Sequence, residues 1–135
     1  MPTRQEVIAQ FIPASPLVRH LGIELAKLEP DHAELRLPFK DEVATLGDVV
    51  HGGAIASLID TAGMAAAWAD DAEPEALAGA TVSLTVDYVA AARGQDLLAT
   101  ATVARRGRSL AFVDVRVTEP GGRLAAKGSL VYRFG

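Results

Sequence analysis

One segment limits the possible folds of this chain more than any other. Residues 52–69 read GGAIASLIDTAGMAAAWA and are apolar almost throughout. One face repeats apolar side chains at helical spacing: Ile55, Leu58, Ile59, Ala62 and Ala66. The opposite face is hardly more polar: Ser57, Asp60, Thr61, Met64 and Trp68. A helix that is apolar nearly all round has to be covered on nearly all sides.

A membrane-spanning helix is the simplest alternative for such a segment. Small Ala and Gly side chains dominate it, Asp60 lies near its middle, and Asp48, Asp70 and Asp71 flank it. Carboxylates inside or beside a span are costly in a bilayer, so we reject the span. The predicted cover of the helix is therefore protein.

The rest of the chain alternates between apolar and polar residues, which indicates half-buried strands. The predicted strands are residues 22–28, 33–39, 81–88, 97–105, 109–118 and 123–134. Short turns such as Arg93-Gly94 and Arg106-Gly107 join the later strands, which favours antiparallel neighbours. Thr3 and Glu6 fit a capping box for a short N-terminal helix. The sequence predicts an α+β fold with one long helix and an antiparallel sheet of about six strands.

Composition excludes several functional classes. The 135 residues predict a single domain, and 13 basic against 17 acidic side chains argue against nucleic-acid or anionic-membrane partners. The chain has no cysteine, and its three histidines have no ligand-pair spacing, so we expect neither a metal site nor a cofactor. Residues 2–12 lack a continuous hydrophobic stretch, so we expect no export signal and a cytoplasmic protein.

Asp60 is the only ionised side chain expected between Val49 and Ala69. A carboxylate on an apolar helix loses hydration, which costs several kcal/mol without compensating partners. One explanation is structural: the side chain bonds local backbone or reaches water at a cleft edge. The other is functional, because partial desolvation suits a general base or a nucleophile.

His51-Gly52-Gly53 stands at the start of the same helix. Glycines leave the first-turn N–H groups unshielded, and the helix dipole favours an oxyanion there, although a plain tight turn explains the glycines equally well. Asp60 follows Gly53 by seven residues, or ~10 Å of helix. At that distance the two groups of one helix cannot both contact the same reacting atom. A second, antiparallel copy of the helix brings the two groups together and covers the other apolar face. The sequence thus predicts a homodimer.

These motifs resemble the hotdog-fold acyl-CoA thioesterases of the phenylacetate-pathway (PaaI) type. HGGAIASLIDTAG is similar to that family's signature, in which Asp or Glu follows the second Gly of His-Gly-Gly by seven residues. LVRHLGIEL, TVSLTVDYVAAARGQDL and GRSLAFVDVRV extend the resemblance over about residues 16–133. It implies a curved sheet wrapped around one central helix, hydrolysis of aryl- or medium-chain acyl-CoA, and dimers that pair into tetramers.

The resemblance also implies roles for individual residues. Asp60 is the expected nucleophile or general base, the Gly53 N–H polarises the thioester carbonyl, and the Thr81 hydroxyl lies near the attacking water. His51 shapes the turn before the helix. The candidate substrate-binding residues are His51, Gly52, Thr45, Met64 and Arg108; Arg108 either meets coenzyme A phosphates or is a solvated turn cation. Thr45 and Asp48 stand where relatives carry an amide and a glycine, which puts efficient hydrolysis in doubt.

Two other functions compete with hydrolysis. A hotdog dehydratase needs a His paired with an acid, and the sequence shows no such His motif. A non-catalytic acyl-CoA binding module has no reason to bury a carboxylate beside a neutral acyl chain, but the missing amide keeps that reading open.

Overall fold

A computed structural model describes residues 1–135. It contains three helices: α1 (Arg4–Ala14), α2 (Pro16–Leu21) and α3 (Gly52–Ala67). It contains eight strands: β1 (Glu24–Glu29), β2 (His32–Leu37), β3 (Ala44–Leu46), β4 (Val49–Val50), β5 (Gly79–Tyr88), β6 (Leu97–Arg106), β7 (Leu110–Thr118) and β8 (Leu124–Phe134). The predicted capping box of α1 is confirmed, because Thr3 and Glu6 bond each other's backbone reciprocally.

Six strands form one antiparallel sheet in the order β1-β2-β6-β7-β8-β5, and β3 and β4 form a separate ribbon. Helix α3 lies across the concave side of the sheet, packed on β2, β6, β7 and β8. The helix approaches closely because Gly63 faces Leu130, and any side chain at Gly63 would overlap that leucine. The predicted hotdog architecture, a central helix wrapped by about six strands, is confirmed.

The structure corrects several predicted boundaries and adds two elements. Helix α3 ends at Ala67 rather than at residue 69, and β2 ends at Leu37 because Pro38 lacks an N–H for the ladder. Strand β1 starts at Glu24 because Gly22, with φ +80°, closes the unpredicted helix α2. The β3–β4 ribbon was also unpredicted, since two- and three-residue strands show no periodicity.

The two edges of the sheet differ. Edge strand β1 carries Glu24, Lys27 and Glu29, and charges on an edge discourage further pairing. Edge strand β5 is ten residues long with Asp87 as its only charged side chain. Exposed apolar side chains lie along it, including Val82 at 50% and Tyr88 at 55%. Strand β5 is therefore open to another strand. No helix of the structure is both long enough and apolar enough to cross a membrane.

Candidate active site

Asp60 and Thr81 form the polar centre of the site. Asp60 lies two turns into α3 and Thr81 near the start of β5, and the Thr81 hydroxyl donates to Asp60 Oδ1 at 2.7 Å. Both residues are partly buried. The hydroxyl fixes the carboxylate's orientation and occupies one oxygen, so Oδ2 remains available to accept a proton or attack a carbon. The structure therefore brings two of the predicted catalytic residues into direct contact.

The other hydroxyl side chains near Asp60 bond the backbone of α3 itself. Ser57 donates its hydroxyl to Gly53 O at 2.8 Å, and Thr61 donates to Ser57 O at 2.7 Å. Hydroxyls that donate to the preceding turn have no proton left to donate to a neighbour. Asp60 is the one charged side chain on this partly exposed face of the helix.

The N-terminus of α3 is open to solvent. The His51 ring caps the helix, because its Nδ1 accepts the Gly53 N–H at 2.7 Å, which agrees with the predicted structural role of His51. A Cβ at Gly53 would come within 2.9 Å of that ring nitrogen, so a side chain there would displace the ring from its capping position. The Gly52 N–H has no protein acceptor, and the Gly52 carbonyl accepts the Tyr88 hydroxyl at 2.8 Å. Asp60 has no contact with this end within one chain.

A cavity of about 310 Å³ extends from the Asp60 face toward the C-terminus of α3. It is lined almost wholly by apolar side chains, contributed by α1, α3 and the start of β5: Val7, Ile8, Phe11, Met64, Trp68 and Leu77 among them. Met64 lies one turn beyond Asp60, so the cavity begins beside the carboxylate. Its volume falls within the range of small-molecule sites.

Tyr132 and Trp68 close the inner end of this cavity. The Trp68 indole N–H donates to the Tyr132 hydroxyl oxygen at 2.8 Å, and both side chains are buried. Burial raises the pKa of the Tyr132 hydroxyl, the bond from Trp68 lowers it, and the Asp60 charge raises it further. The hydroxyl therefore keeps its proton at neutral pH.

Thr45 and Arg108 lie apart from Asp60. Thr45 is exposed on β3 and shares a second, mostly apolar cavity of about 330 Å³ with Gly52 and Tyr88, at the N-terminal end of α3. Arg108, in the β6–β7 turn, is exposed and forms no ion pair. It borders a third cavity of about 270 Å³, together with Arg4 and Ser109. Within one chain, the predicted residues thus occupy three places: around Asp60 and Met64, at the N-terminal end of α3, and in the β6–β7 turn.

Three features of the site were not predicted. Tyr88 and Tyr132 belong to alternating strands, and nothing in their spacing marks the hydroxyls that bond Gly52 and Trp68. Helix α1 forms one wall of the cavity through Val7 and Phe11. These contacts join residues far apart in sequence, so only the folded chain shows them.

Comparison with known proteins agrees with this geometry. The thioesterase superfamily matches residues 47–126, which run from the turn of the β3–β4 ribbon to the start of β8. Human acyl-coenzyme A thioesterase 13 is 30% identical over 128 residues, which cover 92% of this chain and 89% of that protein. The medium/long-chain acyl-CoA thioesterase YigI of Escherichia coli is 28% identical, covering 93% and 89%.

Solved structures share the fold. Thioesterase superfamily member 2 of zebra fish superposes with a TM-score of 0.83 at 28% identity, covering the whole of both chains. The Escherichia coli PaaI protein superposes with a TM-score of 0.80 at 21% identity, covering 96% and 95%. The chain belongs to the thioesterase superfamily and is a hotdog-fold thioester hydrolase.

Proposed function

We propose that this enzyme hydrolyses acyl-CoA thioesters with an aryl or medium-length acyl group, using Asp60 of one subunit and the Gly53 N–H of a second. The observation that supports this most is the Asp60–Thr81 pair, with an apolar cavity that starts one helical turn away at Met64. Similarity to proteins named acyl-CoA thioesterases supports the thioester class.

Asp60 Oδ2 takes a proton from water, and the resulting hydroxide adds to the thioester carbon. The alternative is direct attack by the carboxylate, which forms a mixed anhydride that water then hydrolyses. In both routes the carbonyl oxygen gains negative charge, which N–H donors at a helix N-terminus stabilise. The intermediate collapses, the C–S bond breaks, and coenzyme A leaves as its thiol after protonation.

The donors come from the second subunit in this proposal. About 10 Å of helix separates Gly53 from Asp60 in one chain, and an antiparallel α3 partner brings them together. The Gly52 N–H is free, and Gly53 shares its N–H between the His51 ring and the thioester oxygen. Pairing of the two β5 edges extends the sheet across the same twofold axis and covers the exposed apolar side chains of β5.

The remaining predicted residues bind the rest of the substrate. Met64 lines the cavity that receives the acyl group, and Thr45 and Gly52 border the second cavity at the opposite end of α3. The guanidinium of Arg108 is free of carboxylate partners, as a phosphate ligand must be.

Asp60→Asn tests the proposal. Thiol release from octanoyl-CoA and phenylacetyl-CoA is measured with wild type, Asp60→Asn and the control Asp87→Asn, which changes an exposed carboxylate on β5. We expect kcat to fall by roughly 10² or more in Asp60→Asn, as for loss of a base or nucleophile. Near wild-type turnover in Asp60→Asn contradicts the role of Asp60. Binding of acyl-CoA by wild type without thiol release would instead establish the non-catalytic binding module.

Single turnover in ¹⁸O-labelled water tests the anhydride route. Label in the Asp60 carboxylate, detected by mass spectrometry of the Asp60 peptide, establishes attack by Asp60, because it requires an anhydride that water opens at the Asp60 carbonyl carbon; general-base catalysis places the label only in the released acid.

A further inference from the structure

One hydrogen-bond donor in the acyl cavity has no use in the catalytic steps. The Tyr132 hydroxyl accepts the Trp68 N–H at 2.8 Å, but its own O–H donates to no protein group. Tyr132 is 4% exposed and Trp68 is 5% exposed, so bulk water does not reach the pair freely. A buried donor without an acceptor costs about 1–3 kcal/mol.

The Tyr132 side chain forms part of the cavity wall. Tyr132, Trp68 and Gly79 all line the cavity. A side chain at Gly79 would overlap the Tyr132 hydroxyl, so the glycine keeps space around that hydroxyl at the cavity wall. The other lining residues are nearly all apolar, which leaves the tyrosine as the one side-chain hydroxyl in an otherwise hydrophobic chamber.

We infer that Tyr132 selects acyl groups that carry a hydrogen-bond acceptor oxygen near their distal end. This inference rests on the proposed function, because it assumes that the acyl group enters the cavity beside Asp60. Along the axis of α3, Met64 lies about 6 Å and Trp68 about 12 Å beyond Asp60. We therefore expect the acceptor oxygen of the acyl group about 6–12 Å from the reacting carbon. A plain alkyl chain fills the cavity but leaves the donor unpaired.

The alternative role of Tyr132 is purely structural, as the acceptor for the Trp68 indole. The two roles differ in what the phenylalanine variant changes. Loss of a structural acceptor lowers stability and affects all substrates alike, whereas loss of a substrate donor changes the ratio between substrates.

The test compares kcat/KM for octanoyl-CoA and 7-oxooctanoyl-CoA, with 4-oxooctanoyl-CoA as the positional control. Wild type should have a higher kcat/KM for 7-oxooctanoyl-CoA than for octanoyl-CoA. Tyr132→Phe should lower the ratio of these two values about tenfold, because the buried carbonyl then has no hydrogen-bond donor. The 4-oxo ratio should stay the same in both enzymes, because its oxygen lies too close to the thioester.

A second measurement covers the case in which Tyr132→Phe fails to fold. A crystal structure of Asp60→Asn with 7-oxooctanoyl-CoA should place the 7-oxo oxygen within about 3.2 Å of Tyr132 Oη. Hydrolysis of octanoyl-CoA without a 7-oxo preference, or an oxo group away from Tyr132, overturns the inference and leaves the proposed function standing. Failure of wild type to hydrolyse any of the three, or phenylacetyl-CoA, overturns both.

Discussion

The two ends of helix α3 are built differently. At the C-terminus, Arg106 donates to the Ala67 carbonyl at 2.8 Å and to the Ala66 carbonyl at 3.4 Å, and it pairs with Asp31 and Asp70. At the N-terminus, His51 and Gly53 are exposed, and the His51 ring is the only side chain that accepts a first-turn N–H. Free helix-end groups have to be satisfied by protein, water or ligand.

We infer from this difference that the C-terminal end of α3 contributes mainly to stability and the N-terminal end mainly to ligand binding. The protein itself satisfies the C-terminal carbonyls, through a charged network that also holds α1, because Arg4 bonds Asp70 at 3.1 Å. At the N-terminus the Gly52 N–H has no protein acceptor and the Gly53 N–H bonds only the exposed His51 ring, and the proposed function assigns both donors to the substrate. We therefore expect substitutions at the C-terminal end to lower stability most, and those at the N-terminal end to lower turnover most.

Arg106→Met should have the largest effect on stability. It removes the bonds to two helix carbonyls and leaves Asp31 and Asp70 without their shared cation, so the free energy of unfolding should fall by about 3 kcal/mol. Urea unfolding measures this. Arg105→Met is the matched control, since Arg105 is exposed and forms no ion pair, and it should change the free energy by less than about 0.5 kcal/mol. Equal losses in the two variants would remove the distinction between the helix ends.

His51→Ala should lower turnover more than it lowers stability, the reverse of Arg106→Met. Loss of the cap should lower the free energy of unfolding by about 1 kcal/mol, while kcat falls about tenfold because the Gly53 N–H is no longer held in place. His51→Asn should restore most of both, since asparagine is a good cap. Turnover in His51→Ala equal to wild type would show that this end contributes nothing to the reaction.

Thr81→Val sharpens the comparison at the centre of the helix. The substitution keeps the shape of the side chain but removes the hydroxyl that donates to Asp60 Oδ1. We expect kcat to fall about tenfold, because a hydrogen bond to a charged group contributes about 1.5 kcal/mol. Thr85→Val, on the outer face of the same strand, is the control that should leave kcat unchanged.

Arg108→Ala should have the smallest effect. Contacts to phosphates remote from the reacting carbon contribute uniform binding, so KM for acyl-CoA should rise a few-fold with kcat nearly unchanged. The effect should shrink at high salt and vanish with a short thioester that lacks the nucleotide. Equal changes for full and truncated thioesters would make Arg108 a structural residue.

Much of the fold could be predicted because periodicity is a local property. The long helix and the six main strands follow from apolar spacing. The resemblance to hotdog thioesterases names Asp60 and Thr81 as catalytic residues, but the bond between their side chains is seen only in the structure. Helix α2 and the β3–β4 ribbon are too short to show a period.

The acyl cavity and the Arg106 network depend on contacts between distant residues. Arg106 stands beside Arg105 in a basic turn, and only the folded chain shows which of the two binds the helix carbonyls. The Trp68–Tyr132 bond spans 64 residues and leaves no pattern in either segment. Side-chain pairing between elements therefore marks the limit of prediction from this sequence.

The central claim is that the N-terminus of α3 in one subunit and Asp60 in another subunit together form one active site. Asp60→Asn and Gly53→Pro are each purified, shown to be folded and inactive, mixed, and refolded together. A hybrid dimer then contains one doubly altered site and one intact site, so with random pairing roughly a quarter of wild-type activity should return. With hybrid formation verified by mass spectrometry, a mixture that stays inactive would contradict the shared site.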